Sequence, residues 1–419
     1  MDKQKLKEVV LDQQSLFKDD NLIERDLNLE PYLKGNEIII ITGIRRCGKS
    51  SLLKIIARNF KTNFYLNFDD IRLTDFQADN FHDLYEIALE ITKDKPIFFL
   101  DEVQNVKDWE KWVNNLHEKG YKVFLTGSNS NLLSSEISTF LTGRNKTIKL
   151  HTFSFKEFLR LKNITNNFDF NINNINNLTT EEKIIIKKNF NEYLEIGGFP
   201  LIIKNNDLEL SRNYFEDILN KDILNRYNIR QSKEIKDLSL YLFSNIGNIY
   251  SYSRLKEITG IKSLSTIKNF IDYLKNSYLL YTINRFDFSI AKQKISSSKV
   301  YASDISFLKT ISFNFSQNLG KRLENLVFLN LIKKDSNTEV YYHLDKSECD
   351  FIVKKGLKIT QAIQVSLNID NKREIEGIKS AMKKYKLNEG IMVNLEIEKE
   401  IKEKDKTIKI MPIWKFLLQ

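Results

Sequence analysis

The residues Gly43-Ile44-Arg45-Arg46-Cys47-Gly48-Lys49-Ser50 fit the pattern G-x-x-x-x-G-K-[ST]. Glycines at both ends let successive main-chain N–H groups turn into one concavity that accepts phosphate oxygens. Lys49 places an ammonium against the β- and γ-phosphates, and the Ser50 hydroxyl is the expected ligand of a Mg²⁺ ion. A helix that opens near Lys49 and runs on through Ser51 adds a favourable field for an anion. The apolar run Ile38 to Thr42 before the loop reads as a buried strand. Strand, loop and helix in that order are the context the motif needs, which a chance match on an ordinary βα turn would lack. The expected ligand is a nucleoside triphosphate.

Hydrolysis needs a second set of groups. Pro96 to Leu100 is apolar and ends in Asp101-Glu102, the layout of a Walker B strand. Asp101 is expected to hold Mg²⁺, which favours oxygen ligands. Glu102 is expected to polarise the attacking water, a contribution of about 10²–10⁴-fold. Either carboxylate alone could be read as a cap for the helix containing Trp109 and Trp112. Together, downstream of a phosphate loop, they point to an ATPase. A third apolar strand, Tyr121 to Asn129, ends in polar groups, and Asn129 is the candidate sensor of the γ-phosphate, with Thr126 and Ser128 as alternatives. Arg144 follows in a loop. An arginine at the transferring phosphoryl group, in cis or in trans, is worth about 10³–10⁵ in rate. A solvated surface arginine is the competing reading.

Those groups must be positioned by elements whose outlines the pattern gives. A chain of 419 residues implies two to four domains. No run approaches the ~18 apolar residues of a membrane span, and the charged amino terminus lacks the apolar centre of a secretory signal. Two cysteines, Cys47 and Cys349, give neither a disulfide framework nor zinc spacing, so a cytoplasmic protein is expected. The net charge of +10 is compatible with nucleic acid, but it is spread over a long chain.

Up to about Leu159, short apolar strands alternate with helical stretches, as in α/β folds with a parallel sheet, and Asn63 to Asp69 reads as a further strand. The asparagine-rich segment Lys162 to Leu178 reads as a loop or insertion. Glu181 to Arg230 is helical in pattern, interrupted at Gly197-Gly198-Phe199-Pro200. Three helices then follow, Lys236 to Ile246, Tyr252 to Gly260 and Ser263 to Asn276, with a β-hairpin expected over Tyr278 to Ile290. That is the order of a winged helix-turn-helix, whose third helix enters a DNA major groove, with Lys262, Lys268 and Lys275 near phosphates. A protein-docking role is the alternative. The last third reads as a separate α/β domain, with a helix from Gly320 and strands near residues 338–342, 348–353, 359–365, 390–394 and 408–412.

The stretches GIRRCGKSSLL, FFLDEVQNV, FLTGSNSNLLSSEISTFLTGR, HTFSFKEFL, IGGFP, GKRLENLVF, ECDFIV and IKIMPIWKFL resemble, in order, a widespread archaeal and bacterial AAA+-type ATPase family with a carboxy-terminal domain of unknown function. The resemblance implies an α/β fold: a P-loop NTPase parallel sheet with an added strand between the phosphate-loop and Walker B strands, a helical lid and winged helix, and a carboxy-terminal domain similar to restriction endonucleases. The expected domains are 1–160, 161–230, 231–295 and 296–419. In such endonucleases a helix glutamate, a strand aspartate and a (D/E)-x-K trio bind Mg²⁺ and activate water. Glu324 and Asp350 match the first two, but Gln364 and Ser366 stand where the second carboxylate and the lysine belong. The domain is therefore expected to be inactive as a nuclease. The implied function is an ATP- and Mg²⁺-dependent switch acting on DNA or a protein partner, with a homo-oligomer if Arg144 acts in trans. The alternative is a DNA-binding module that uses ATP slowly, and a metal nuclease ranks last.

Overall fold

The computed structural model describes residues 1–17, 22–129, 143–164, 175–312, 319–334, 338–403 and 405–419. The chain divides into two units, Met1–His151 with Asn276–Tyr278, and Thr152–Lys275 with Leu279–Gln419.

In the first unit, β1 (Ile38–Thr42), β2 (Asn63–Asn67), β3 (Ile97–Asp101), β4 (Val123–Gly127) and β5 (Asn145–Lys149) form one parallel sheet in the order β2-β3-β4-β1-β5. Strand β4 lies between the phosphate-loop strand β1 and the Walker B strand β3, as the family resemblance implies. Every residue of β1 is buried, which accounts for its unbroken isoleucine run, because a parallel sheet is covered on both faces. The helices are α1 (Lys3–Leu16), α2 (Lys49–Ala57), α3 (Asn80–Thr92) and α4 (Trp109–Glu118). Neither α1 nor β5 stands out in the apolar pattern of the sequence. Asp2 caps α1, which buries Leu6, Val9, Val10 and Gln13 on one face. Gln13 and Gln14 bond the backbone of β2, so polar side chains attach this helix to the sheet.

The second unit begins with α5 (Phe155–Leu161) and α6 (Thr180–Ile196), each opened by a reciprocal capping box, Ser154 with Glu157 and Thr179 with Glu182. The helix α6 stops at Gly197, whose φ is +78°. A Cβ on Gly197 would sit 2.0 Å from Asp304 Oδ1, and one on Gly198 would sit 2.4 Å from the Phe153 carbonyl. Close approach of two segments therefore requires both glycines. Pro200 then opens α7 (Pro200–Asn205), where its missing N–H costs nothing. Helix α8 (Glu209–Asp217) continues into a wider π-helical stretch, Ile218–Asn225.

Next come α9 (Ser232–Ser244), β6 (Ile249–Tyr250), α10 (Tyr252–Thr259), α11 (Leu264–Asn276), β7 (Leu280–Asn284), α12 (Ile290–Ile295) and β8 (Ser298–Ala302). The hairpin expected over residues 278–290 is corrected here. Its second arm is β8, which pairs antiparallel with both β7 and β6, and the short helix α12 occupies the connection. The boundary expected at 295–296 thus falls between strands of one sheet.

After α13 (Ile305–Thr310) and α14 (Leu319–Lys334), the last sheet comprises β9 (Thr338–Leu344), β10 (Glu348–Lys355), β11 (Lys358–Val365), β12 (Glu389–Asn394), β13 (Lys399–Glu403) and β14 (Lys406–Pro412). Its order is β13-β14-β12-β11-β10-β9, with parallel pairs only at β11–β12 and β12–β14. Helix α15 (Lys372–Lys384) packs Ile378, Ala381 and Met382 onto one face, and α16 (Ile413–Leu418) ends the chain.

Candidate nucleotide site and a second lysine–carboxylate cluster

The carboxyl ends of β1 and β3 bring the first set of predicted residues together. Gly43 follows β1 directly, and a Cβ there would lie 2.0 Å from the Leu150 carbonyl, so only glycine fits. Gly48, with φ +100°, is the residue before α2. Lys49 begins that helix and is buried, at 4% exposure. Its Nζ donates to the Gly43 and Ile44 carbonyls at 3.2 and 3.3 Å and lies 3.7 Å from Glu102 Oε1.

The Ser50 hydroxyl pairs with the Asp101 carboxylate. The other partners of Asp101 are the Thr126 hydroxyl and the Tyr65 hydroxyl, the latter at 3.1 Å. Burial, and then the charge of Glu102, push the Asp101 carboxyl above the ordinary carboxylate range. Two adjacent carboxylates with a serine hydroxyl make an all-oxygen donor set that favours a small divalent cation, so Ser50 and Asp101 fit Mg²⁺.

Glu102 adopts a left-handed backbone conformation, φ +51°, which costs a non-glycine residue on the order of 1–3 kcal/mol. Its N–H donates to the Thr126 hydroxyl at 3.0 Å, and its Oε2 accepts from Gln104 Nε2 at 2.5 Å. The Thr126 hydroxyl thus braces both carboxylate residues. Asn129 follows β4 and is fully buried.

The remaining loop residues divide by direction. Cys47 packs its thiol inward at zero exposure, 3.6 Å from the Leu150 carbonyl, and burial raises its pKa. Ile44 is also buried. Arg45 lies 3.9 Å from Asp69, Arg46 is exposed with φ +71°, and Ser51 is half-buried in α2.

Arg144 is not brought to this site. It immediately precedes β5, and its carbonyl accepts the Ile38 N–H at the start of β1, the end opposite the loop. Its guanidinium bonds Asn114 and Glu118 of α4 at 2.7 and 3.1 Å. Leu141 and Thr142, read with it, lie outside the described residues.

Three contributors escaped the sequence reading. Gln104 holds Glu102, Tyr65 reaches Asp101 from β2, and Arg25 donates to the Cys47 and His151 carbonyls at 3.1 and 2.7 Å. Gln104 had a readable signal, since it stands two residues after the glutamate. Tyr65 and Arg25 act across chain separations that no local pattern encodes.

In the second unit, Glu324 on α14 and Asp350 on β10 do meet, but through a cation. Lys299 of β8, fully buried, places its Nζ 3.0 Å from Glu324, 3.1 Å from Asp350 and 2.6 Å from Glu348. Gln364 Nε2 donates to Asp350 Oδ2 at 2.8 Å, while the Ser366 hydroxyl turns to the Asn368 carbonyl. Among the described residues, no group of three or more His, Cys, Asp or Glu side chains is arranged to hold a metal ion. Among them, too, no helix is long and apolar enough to cross a membrane.

Residues 35–159 match a family described as an AAA domain, and residues 187–318 match a domain of unknown function, DUF8612. The uncharacterized protein MJ1544 of Methanocaldococcus jannaschii is 37% identical, over 98% of this chain and 94% of its own length. An uncharacterized protein of Haemophilus influenzae is 28% identical over 87% of this chain and 92% of its own. Among solved structures, the Walker-type ATPase PABY2304 of Pyrococcus abyssi aligns with 71% of this chain and 99% of that one, at 15% identity and a TM-score of 0.45. The AAA-domain match coincides with the phosphate loop and the Asp101–Glu102 pair and supports ATP binding there.

Proposed function

The chain belongs to an archaeal and bacterial family of AAA-domain proteins with a further domain of unknown function, and we propose that it is a Mg²⁺-dependent ATPase whose nucleotide state governs contact with duplex DNA or a protein partner. The convergence of Lys49 and Ser50, at the start of α2, with Asp101 and Glu102, at the end of β3, carries this reading. Lys49 exchanges the Gly43 and Ile44 carbonyls for phosphate oxygens, which bind an ammonium more strongly than neutral acceptors do. Glu102, held by Gln104 and by its own constrained backbone, accepts the proton of the attacking water. When bound through Ser50 and Asp101, Mg²⁺ neutralises charge on the phosphates.

Partner contact is assigned to the three helices α9 to α11 and the β6–β8–β7 sheet, read as a winged helix. Support comes from α11, which buries Ile267, Phe270, Ile271 and Leu274 and leaves Lys268, Asn269, Asp272 and Lys275 exposed, with Lys262 exposed just before it. That is the division a groove-entering helix needs. Two buried free cysteines accord with a cytoplasmic setting. The second reading, a DNA-binding module with slow ATP use, rests on the same exposed face.

ATP turnover by wild type and Glu102→Gln, with and without duplex DNA and with oligomer size measured in parallel, tests both. Loss of turnover in the variant and stimulation by DNA support the coupled ATPase. Equal turnover by the two proteins removes Glu102 as the base. DNA binding that falls steeply with salt while turnover stays unchanged supports the module.

A further inference from the structure

The Lys299 cluster is built from separate parts of the second unit. Lys299 and Tyr301 come from β8, Glu324 and Lys321 from α14, Glu348 and Asp350 from β10, and Gln364 from β11. An ammonium group has three N–H donors and no acceptor. The Lys299 Nζ faces three carboxylate oxygens, one each from Glu324, Glu348 and Asp350, so its donor capacity is filled.

Two of the carboxylates, Glu324 and Asp350, take further donors as well. Glu324 Oε1 also accepts from the Tyr301 hydroxyl at 2.7 Å, and its Oε2 accepts from Lys321 Nζ at 2.7 Å. Asp350 Oδ2 accepts from Gln364 Nε2 at 2.8 Å and from the Val365 N–H at 3.0 Å, and the Asp350 N–H returns a bond to Gln364 Oε1 at 3.3 Å. A divalent ion needs several open oxygen lone pairs in one shell. Here those lone pairs converge on a nitrogen.

We propose that Lys299 is a built-in cation that takes the place of a divalent metal among Glu324, Glu348 and Asp350, so that the carboxy-terminal sheet domain is closed to metal and does not cleave phosphodiesters. The lysine is not a displaced catalytic group, because all three of its hydrogens are committed to carboxylates and none is left for a scissile phosphate. Gln364 fits the same account. A carboxylate there would add a negative charge to a cluster in which Lys299 and Lys321 already face three carboxylates, whereas the amide supplies a donor to Asp350. The inference does not depend on the ATPase reading, because every group lies in the second unit.

The test titrates Mn²⁺, followed by electron paramagnetic resonance, into the nucleotide-free full chain as wild type, Asp350→Asn, Lys299→Ala and Lys299→Ala/Asp350→Asn. Wild type and Asp350→Asn are expected to give the same curve. Lys299→Ala is expected to gain one bound Mn²⁺ per chain, and the double variant is expected to lose that gain. If Lys299→Ala does not fold, Lys299→Met/Glu348→Gln removes one positive and one negative charge together and is compared with its own Asp350→Asn derivative. Asp350-dependent Mn²⁺ binding by the wild type would overturn the proposal. So would Asp350-dependent cleavage of supercoiled DNA, or a folded Lys299 variant that gains no metal.

Discussion

Lys49 lies 3.7 Å from one carboxylate and spends hydrogen bonds on two main-chain carbonyls, whereas Lys299 meets three carboxylates at 2.6 to 3.1 Å. Both are buried, and both sit beside an aspartate with an elevated pKa. The difference lies in what each would surrender to a ligand. Neutral carbonyls are weak competitors for an ammonium, so phosphate oxygens would displace them. Three carboxylates, two of them buried, are strong competitors, and separating them from the buried lysine leaves unpaired charge in a low-dielectric interior. The same chemical pair therefore reads as a binding device in one unit and as a closed internal contact in the other.

Substitutions sharpen the contrast, beginning with the largest expected effect. Glu102→Gln should lower ATP turnover by about 10²–10⁴-fold while nucleotide binding, measured by calorimetry, persists. Lys49→Met should reduce turnover by about 10²–10³-fold, with little change in the unfolding midpoint, because the carbonyls it leaves were replaceable partners. Lys299→Met should do the reverse. It should destabilise the fold by about 3–5 kcal/mol in urea unfolding and leave ATP turnover per folded molecule unchanged. A Lys299→Met protein of wild-type stability would erase the distinction.

A buried imidazole provides a pH-dependent companion. His343 is fully buried between the Tyr385 and Ser380 hydroxyls, each 3.1 Å from a ring nitrogen, and burial depresses its pKa from 6.5 to about 4. A depressed folded-state value means that stability is present above pH 6.5 and is lost as the pH falls towards 4. About 2 kcal/mol should disappear by pH 5, and His343→Gln should lack that loss when unfolding is compared at pH 7.5 and 5. The smallest effect belongs to Arg144. Its exposed pairing with Glu118 should be worth no more than about 1 kcal/mol, and Arg144→Ala should leave turnover of the isolated chain unchanged.

What the sequence disclosed follows the range of the interactions involved. The phosphate loop is local, so Gly43, Gly48, Lys49 and Ser50 were readable from their spacing, and the apolar runs of β1, β3 and β4 placed them. Strand β5 was missed because its residues, Asn145-Lys146-Thr147-Ile148-Lys149, are mostly polar and only Ile148 is buried. Strand β13, Lys399 to Glu403, is an edge strand without a buried residue and left no apolar trace. Helix α1 escaped notice because its buried stripe is narrow and its charges dominate. At the position where the nuclease-like motif prescribes a lysine, the sequence has Ser366. The cation that Glu324 and Asp350 do meet, Lys299, plays a different part and stands 25 residues before Glu324, where no spacing rule points.

Strand β8 is held on two sides, laddered to β6 and β7 while Lys299 and Tyr301 reach the helix and strand that follow it. A cut of the chain just before Ser298 would therefore divide one sheet. A fragment starting there would carry one strand stripped of its neighbours, and the piece left behind would expose two strands that had paired with it. Elements β6 to β10 therefore behave as one folding block, and a truncation that spares the fold must keep them together.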